Sequence, residues 1–339
     1  MTPLVKTLLT RGLPLVALYG IVLAGLNLGL IDDYLMATIA TLCINIVLAV
    51  SLNLITGFTG QFSLGHAGFM AIGAYATGLI TIAVPTVPGF IAGLLVGGLL
   101  SALIGFLIGL PTLRLRGDYL AIATLGLAEI IRIVLNNLEF TNGAAGLAGI
   151  PQLMDWNWFF ILTVGSVILI RNFLRSRHSR HAIAVREDEI AAEAMGINLM
   201  KHKNLAFVIS SFFTAISGGM LAMFMQSIDS STFKIAMTYD ILLIVVIGGI
   251  GSVTGSVFSA FLVTAAKEWW LRFFDTPLTI GTFEVPLLRT GFRMVVFSVL
   301  LMVVVLFYRR GLMGTNEFSW DFLWKKRSAA VKGGARGGK

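Results

Sequence analysis

Long apolar runs, separated by short polar connections, constrain this chain more than any other feature. Most of them have the length of a bilayer-crossing helix, which needs about 20 apolar residues. The composition agrees, because 57% of the residues are apolar and only 12% are charged, whereas about a quarter are charged in soluble proteins. The sequence predicts an all-α polytopic membrane bundle of about ten spans. Their approximate limits are 13–31, 35–56, 64–83, 89–110, 119–136, 157–174, 204–228, 237–250, 255–274 and 290–308.

The basic residues of the connections predict the orientation of the spans. Lys6, Arg11, the 111–118 loop, the 171–203 loop and the tail from Arg309 carry most of the positive charge. Ten spans place all of them, and both termini, on the cytoplasmic side, as the positive-inside rule requires. This placement accounts for the net charge of +8 without a nucleic-acid partner.

Groups of residues that could catalyse a reaction are not recognisable in the sequence. Cys43 is the only cysteine, and none of the four histidines has a carboxylate or thiol at metal-ligand spacing. We therefore expect a non-catalytic protein with no metal site and no cofactor of its own.

Two glycine-rich breaks interrupt the apolar pattern, one in each half of the chain. They cover Gly57–His66 and Gly248–Ser256. Paired breaks of this kind indicate a transport pathway, because irregular backbone at membrane depth survives where it lines a cavity or is packed in protein. Close helix packing through small residues is the alternative. The candidate pathway residues are Gly57, Gly60, Gln61, Ser63, Gly65, His66, Gly248, Gly249 and Gly251.

Polar side chains inside predicted spans are costly and need partners. Glu129 and Arg132 are three residues apart on one predicted helix, so they share a face and can form an intramembrane ion pair. The alternative is that they face the pathway or a partner subunit. Asn45 and Asn53 also share a helix face, which predicts interhelical hydrogen bonds. For His66 we expect a structural hydrogen bond to a freed carbonyl of the broken helix, with a ligand or gating role as the alternative.

The 171–203 loop contains a short amphipathic helix, predicted over Arg186–Ile197 with Gly196 as its C-cap. A helix this short is marginal in water and must dock on something. It could lie on the membrane or on its own loops, or it could couple to a soluble ATPase. The candidate coupling residues are Arg186, Glu187, Asp188, Ile190, Glu193, Ala194 and Gly196.

Residues 1–314 are thus expected to form one transmembrane domain, with a cytoplasmic loop over about 175–203 that carries the candidate coupling residues. Residues 315–339 form a basic tail. Its end is rich in Gly, Ala, Lys and Arg, without an apolar period, and is expected to be disordered.

Four stretches resemble the branched-chain amino-acid ABC permease family, specifically its LivM-like members. They are Leu52–Phe69, Leu110–Gly126, Arg186–Ile197 and Arg309–Gly314, and the resemblance extends to about residue 314. Asn142 departs from the family pattern in an outer loop. The resemblance implies an importer permease of the ribose and branched-chain amino-acid type in the bacterial inner membrane.

The same resemblance implies partners and a mechanism. The partners are a LivH-like sister permease, two cytoplasmic ATPase subunits that bind ATP and Mg, and an extracytoplasmic substrate-binding protein. The family's docking element for the ATPase falls on Arg186–Ile197. Alternating access, driven by ATP in the partner chains, is the implied mechanism.

Two alternatives for the function stay open at this point. Urea permeases resemble this family, so the substrate could be urea or a short amide, although Gln61 favours amino acids. From another class, the chain could be a stand-alone channel or an ion-coupled carrier. A carrier usually needs intramembrane acids, for which Glu129 is a candidate.

Overall fold

The computed structural model describes residues 13–29, 31–270, 279–280, 283–284, 295–296, 298–299, 302, 311–314 and 317. The predicted tenth span, 290–308, and the tail, 315–339, lie almost wholly outside this set. The described residues up to Met36 belong to one compact unit, and those from Ala37 to Gly314 form a second unit. The candidate site residues all belong to the second unit.

Helices dominate the described residues, as the apolar runs predict. The first six are α1 (Leu13–Asn27), α2 (Asp33–Asn53), α3 (His66–Ala83), α4 (Val87–Thr112), α5 (Asp118–Asn137) and α6 (Trp156–Leu174). They are followed by α7 (Arg177–Glu187), α8 (Glu189–Ala194), α9 (Leu199–Met225), α10 (Ile235–Gly248) and α11 (Val253–Ala265). Short π-helical turns, Leu54–Phe58 and Ala266–Trp270, extend α2 and α11.

Five of the described helices are long and apolar enough to cross a membrane. They are α2 with its π-helical turn, α3, α4, α6 and α9. Helices α10 and α11 are bent by 119° at their junction and make a sixth candidate if they count as one broken span. The predicted ten spans are therefore not confirmed, and the number stays a prediction.

Helix α9 is at the centre of the second unit, where it packs against α3 and α4. Small residues permit this close approach: a Cβ added at Gly73 would lie 2.0 Å from the Ala215 carbonyl oxygen. Aromatic packing reinforces the contact, since the rings of Phe69 and Phe207 meet edge to face at 5.5 Å. The core of the bundle is thus built from small residues and interlocked rings, as is typical of membrane helices.

Two short antiparallel strand pairs are also present among the described residues. Strand β1 (Leu147–Ala148) pairs with β2 (Ser227–Ile228), and β3 (Thr279–Ile280) pairs with β4 (Phe283–Glu284). The first pair joins the α5–α6 connection to the α9–α10 connection, so both connections lie at the same end of the bundle.

Candidate functional site

The first predicted break is a real interruption of helical structure. The π-helical turn ends at Phe58, the chain then runs without helix, and α3 begins at His66. A π-helical turn of this kind often marks a functional position. Gln61, Ser63 and His66 are all buried, with at most 3% exposure. These three side chains therefore lie inside the protein, whereas Gly60 and Phe62 of the same break are exposed.

His66 forms a structural hydrogen bond, as expected, but with a side chain. Its Nε2 atom lies 3.2 Å from Ser210 Oγ on α9, and Ser210 Oγ donates to the Ser51 carbonyl oxygen at 2.6 Å. Within the described part of the chain, His66 Nδ1 and both amide atoms of Gln61 are buried without a hydrogen-bond partner. Such atoms are costly and call for an explanation, such as a functional role or a bound water.

The second break turns the chain sharply between α10 and α11. Gly249 and Gly251 have φ angles of +113° and +96°, which residues with a side chain rarely adopt. Ser252 then caps α11, since its Oγ accepts from the Gly255 N–H at 3.0 Å. The turn Gly311–Gly314 lies against the end of α10: the N–H of Leu312 donates to the Ile247 carbonyl oxygen at 2.7 Å. The Gly311–Gly314 turn, which follows the last predicted span, thus packs against the second break.

The two breaks, about 190 residues apart, meet in the tertiary structure. A Cβ added at Gly57 would lie 2.4 Å from the backbone nitrogen of Gly251. Gly65, by contrast, packs against Thr124 of α5, because a Cβ there would lie 3.1 Å from the Thr124 carbonyl oxygen. The structure therefore brings Gly57 and Gly251 together and places the end of the first break against a different helix.

The predicted single helix over Arg186–Ile197 is wrong in its continuity. Helix α7 ends at Glu187, Asp188 is extended, and α8 begins at Glu189. The cause is the Asp188 carboxylate, whose Oδ1 accepts from the N–H groups of Ile190 (2.8 Å) and Ala191 (3.0 Å). An aspartate that bonds nearby backbone N–H groups favours a new helix start over a helix interior.

The candidate coupling residues are thus divided between two helices. Arg186 and Glu187 end α7, whereas Ile190, Glu193 and Ala194 belong to α8. Gly196 terminates α8 as predicted: it has a φ of +80°, and the Ile197 N–H donates to the Ala192 carbonyl oxygen at 3.1 Å, as in a Schellman motif.

Glu189 fastens α8 to the bundle, a role that the sequence reasoning missed. Its carboxylate accepts from Lys203 Nζ on α9 and lies 3.2 Å from Arg116 Nη2 in the α4–α5 loop. A cleft of about 420 Å³ lies between these elements, with Arg114, Glu193 and Asn198 also on its wall. An acidic cluster beside two basic loops was visible in the sequence, but no local signal selects Glu189 among its neighbours.

Two apolar side chains of this segment point away from the protein. Ile190 is 78% exposed and Met195 is 82% exposed. A braced helix that leaves large apolar groups uncovered is typical of an interaction surface.

Glu129 and Arg132 lie side by side on α5. Arg132 Nε is 3.0 Å from each carboxylate oxygen of Glu129. The preceding residue, Ala128, packs on α3, where a Cβ added at Gly68 would lie 2.8 Å from the Ala128 Cα. The ion pair lies beside this contact, and each of its side chains keeps roughly a quarter to a third of its surface exposed.

Comparison with known proteins identifies the family. Residues 33–307 match the model of the branched-chain amino acid transport system / permease component family. The chain is 36% identical over 266 residues to the high-affinity branched-chain amino acid transport system permease protein LivM of Escherichia coli (strain K12). That match covers 68% of this chain and 62% of the relative's length.

Two further proteins are similar to this chain. The permease protein LivH of Salmonella typhimurium, from the same kind of transport system, is 25% identical over 298 residues, which cover 80% of this chain and 91% of LivH. The solved structure of PsaBC from Streptococcus pneumoniae in complex with Fab has a TM-score of 0.42 at 16% identity, over 84% of this chain and 94% of that one, which is too low for an argument about the fold. By the family match over most of its length, the chain belongs to the branched-chain amino-acid transport system permease family.

Proposed function

We propose that this chain is one of two membrane-spanning permease subunits of an ATP-driven importer of branched-chain amino acids. It works with a LivH-like sister permease, two ATPase subunits and an extracytoplasmic binding protein in the bacterial inner membrane, with both termini in the cytoplasm. Support comes from the family match and from the higher identity to LivM (36%) than to LivH (25%). The chain itself is non-catalytic, and ATP and Mg are bound by the ATPase subunits.

The observation that carries this proposal is the geometry of α8. The helix is held to the bundle by Glu189 on one side and presents Ile190 and Met195 on the other. The ion pairs of Glu189 tie α8 to both α9 and the α4–α5 loop. A displacement of the apolar surface of α8 can therefore be passed on to these two elements. We assign α8, together with the exposed Glu187 at the end of α7, as the surface on which an ATPase docks.

The two breaks are proposed to be the moving part of the pathway. Gly57, Gly60, Gln61, Ser63, Gly65 and His66 belong to the first break, and Gly248, Gly249 and Gly251 belong to the second. Because glycine-rich backbone tolerates changes in φ and ψ, these segments can change shape while the adjoining helices move as rigid bodies. The unpaired polar atoms of Gln61 and His66 are available to water or substrate in another state of the cycle.

The ion pair of Glu129 and Arg132 is proposed to face the sister permease, at the pathway between the two subunits. The pair lies about 17–21 Å along α5 from its first residue, at 1.5 Å per residue, which would be near the middle of the bilayer if α5 is the span predicted over 119–136. Partly exposed charges at such depth are unfavourable against lipid and normally face protein or a wet cavity.

The function can be tested by reconstituting this chain with the sister permease, the two ATPase subunits and the binding protein in proteoliposomes, and measuring uptake of labelled leucine and labelled urea. We expect leucine uptake that requires ATP and the binding protein, with no urea uptake. Transport of urea instead would overturn the substrate. Uptake that persists without ATP and collapses with an ionophore would identify a carrier and overturn the importer assignment.

A further inference from the structure

Asn53 connects the two breaks through its side chain. It is the last residue of α2 and is fully buried. Its Nδ2 atom donates to the Ser252 carbonyl oxygen (2.8 Å) and to Ser256 Oγ (2.7 Å), and its Oδ1 accepts from the Gly251 N–H (2.8 Å). The amino group and the oxygen of the Asn53 carboxamide thus both bond to the second break. Asn53 itself lies just before the start of the first break.

The backbones of the two breaks are in direct contact at this point. A Cβ added at Gly57 would lie 1.9 Å from Asn53 Oδ1 and 2.9 Å from the Cα of Gly251. Real Cβ contacts essentially never come below 3.0 Å. The approach therefore depends on glycine at position 57.

Arg186, the second-last residue of α7, reaches the contact between the two breaks. It does so from the coupling segment, which consists of the end of α7 and α8. Its Nη1 atom donates to the Gly57 carbonyl oxygen at 2.7 Å, and Glu187 accepts from its Nε at 3.0 Å. The stem of the side chain covers the first break, since a Cβ at Gly60 would lie 2.7 Å from Arg186 Cγ. The same guanidinium lies 3.4 Å from the position of a Cβ at Gly251. One side chain of α7 therefore bonds to the first break and lies beside the second.

We propose that Asn53 and Arg186 form a clasp that makes α7 and the two breaks move as one body, so that displacement of the coupling segment is delivered to both halves of the permease together. The inference rests on the proposed function, because it assumes that an ATPase moves α7 and α8. Its physical basis is that the clasp contacts are hydrogen bonds of a fully buried amide and of a charged group. Such bonds are costly to break without replacement.

Asn45 is a matched control within the same helix pair. It lies on the same face of α2, two turns earlier, and its Nδ2 donates to Thr264 Oγ1 on α11 at 3.1 Å. Asn45→Ala therefore also removes an α2–α11 hydrogen bond, but it leaves the breaks and Arg186 untouched. Arg180 is the corresponding control on α7, since it is an exposed arginine of the same helix.

The test measures leucine imported per ATP hydrolysed by the full reconstituted complex, together with retention of the ATPase subunits during purification. For Asn53→Ala and Arg186→Ala we expect the ratio to fall by about tenfold, as loss of a hydrogen bond to a charged or buried group implies, with ATPase retention unchanged. Asn45→Ala and Arg180→Ala should keep the wild-type ratio. The double variant Asn53→Ala/Arg186→Ala should be no worse than the poorer single variant, because both interrupt one linkage.

Each other result has a definite meaning. A wild-type ratio in Arg186→Ala, a variant of a side chain that is 29% exposed, would overturn the clasp and leave the proposed function standing. Loss of the ATPase subunits from Arg186→Ala would also overturn it, because Arg186 would then act through docking. If the ratio of leucine to ATP fell by the same factor in Asn45→Ala, Asn53 would act only through ordinary helix packing. Absence of ATP-driven uptake in the wild-type complex would overturn the proposed function itself.

Discussion

Arg186 and Gly57 are separated by 129 residues of chain, yet the arginine Nη1 donates a 2.7 Å hydrogen bond to the glycine carbonyl oxygen. This bond joins the end of α7 to the turn that ends α2. An exposed segment of the 171–203 loop is thereby connected to the first helix break, and through Gly251 to the second.

Gly57→Ala is expected to destabilise the fold. The added methyl group would collide with Asn53 Oδ1 and with the backbone of Gly251, and fixed backbone cannot yield cheaply. Overpacking of this kind costs about 1–3 kcal/mol. The thermal unfolding midpoint of the purified complex in detergent measures the effect.

Gly126→Ala is the matched control for that measurement. Position 126 lies within α5, and a Cβ there meets nothing within 4 Å. Replacing a helical glycine by alanine stabilises a helix by about 1 kcal/mol, so we expect an unchanged or raised midpoint. Equal midpoints for Gly57→Ala and the wild type would show that the two breaks are not in contact.

Asp188→Ala is expected to loosen α8. The substitution removes the carboxylate that caps the helix, which costs about 1 kcal/mol and corresponds to roughly fivefold weaker binding if α8 must be ordered to dock. Titration of the purified ATPase subunit onto the permease pair measures the affinity. Asp188→Ser retains a capping oxygen and should bind as the wild type does. Equal weakening by Ala and Ser would contradict a capping role.

Ile190→Asp is expected to block ATPase docking without affecting stability. The side chain is 78% exposed, so a carboxylate there remains hydrated in the free permease but would be desolvated in an apolar groove. Binding should weaken by at least about tenfold, corresponding to a desolvation cost above 1.4 kcal/mol, while the unfolding midpoint stays constant. Glu193→Gln, an exposed change on the same helix, should have a smaller effect. Normal ATPase binding by Ile190→Asp would place the docking surface elsewhere.

Glu129 and Arg132 are expected to be coupled rather than independently important. Each single neutralisation, Glu129→Gln or Arg132→Gln, leaves its partner charge unpaired, whereas the double variant leaves none. The double variant should therefore be more stable than the sum of the single effects, by on the order of 1 kcal/mol for a partly exposed pair. Folded yield and thermal unfolding midpoint are measured for the wild type, the two single variants and the double variant, which together make a double-mutant cycle. Strictly additive effects would show that the pair contributes nothing as a pair.

The class of the protein and the positions of its interruptions were predictable from the chain alone. Apolar runs, glycine clusters and the cap at Gly196 are local signals, because hydropathy and backbone preference act over a few residues. The family signature around Gly57–His66 is local in the same sense, and the interhelical hydrogen bonds predicted for Asn45 and Asn53 are confirmed. The helix over Arg186–Ile197 failed because the capping preference of Asp188 was outweighed in the prediction by the helix propensity around it.

Only the tertiary structure determined which partners these residues have. The sequence contained Asn53, Gly57, Arg186 and Gly251 as separate features of a span, a loop and two breaks. Packing of α2 against α11, and of α7 against the π-helical turn, brought them within hydrogen-bond distance. Glu189 likewise obtained its role from Lys203 and Arg116. Contacts over such sequence separations depend on how whole helices pack, and no window of local sequence contains that information.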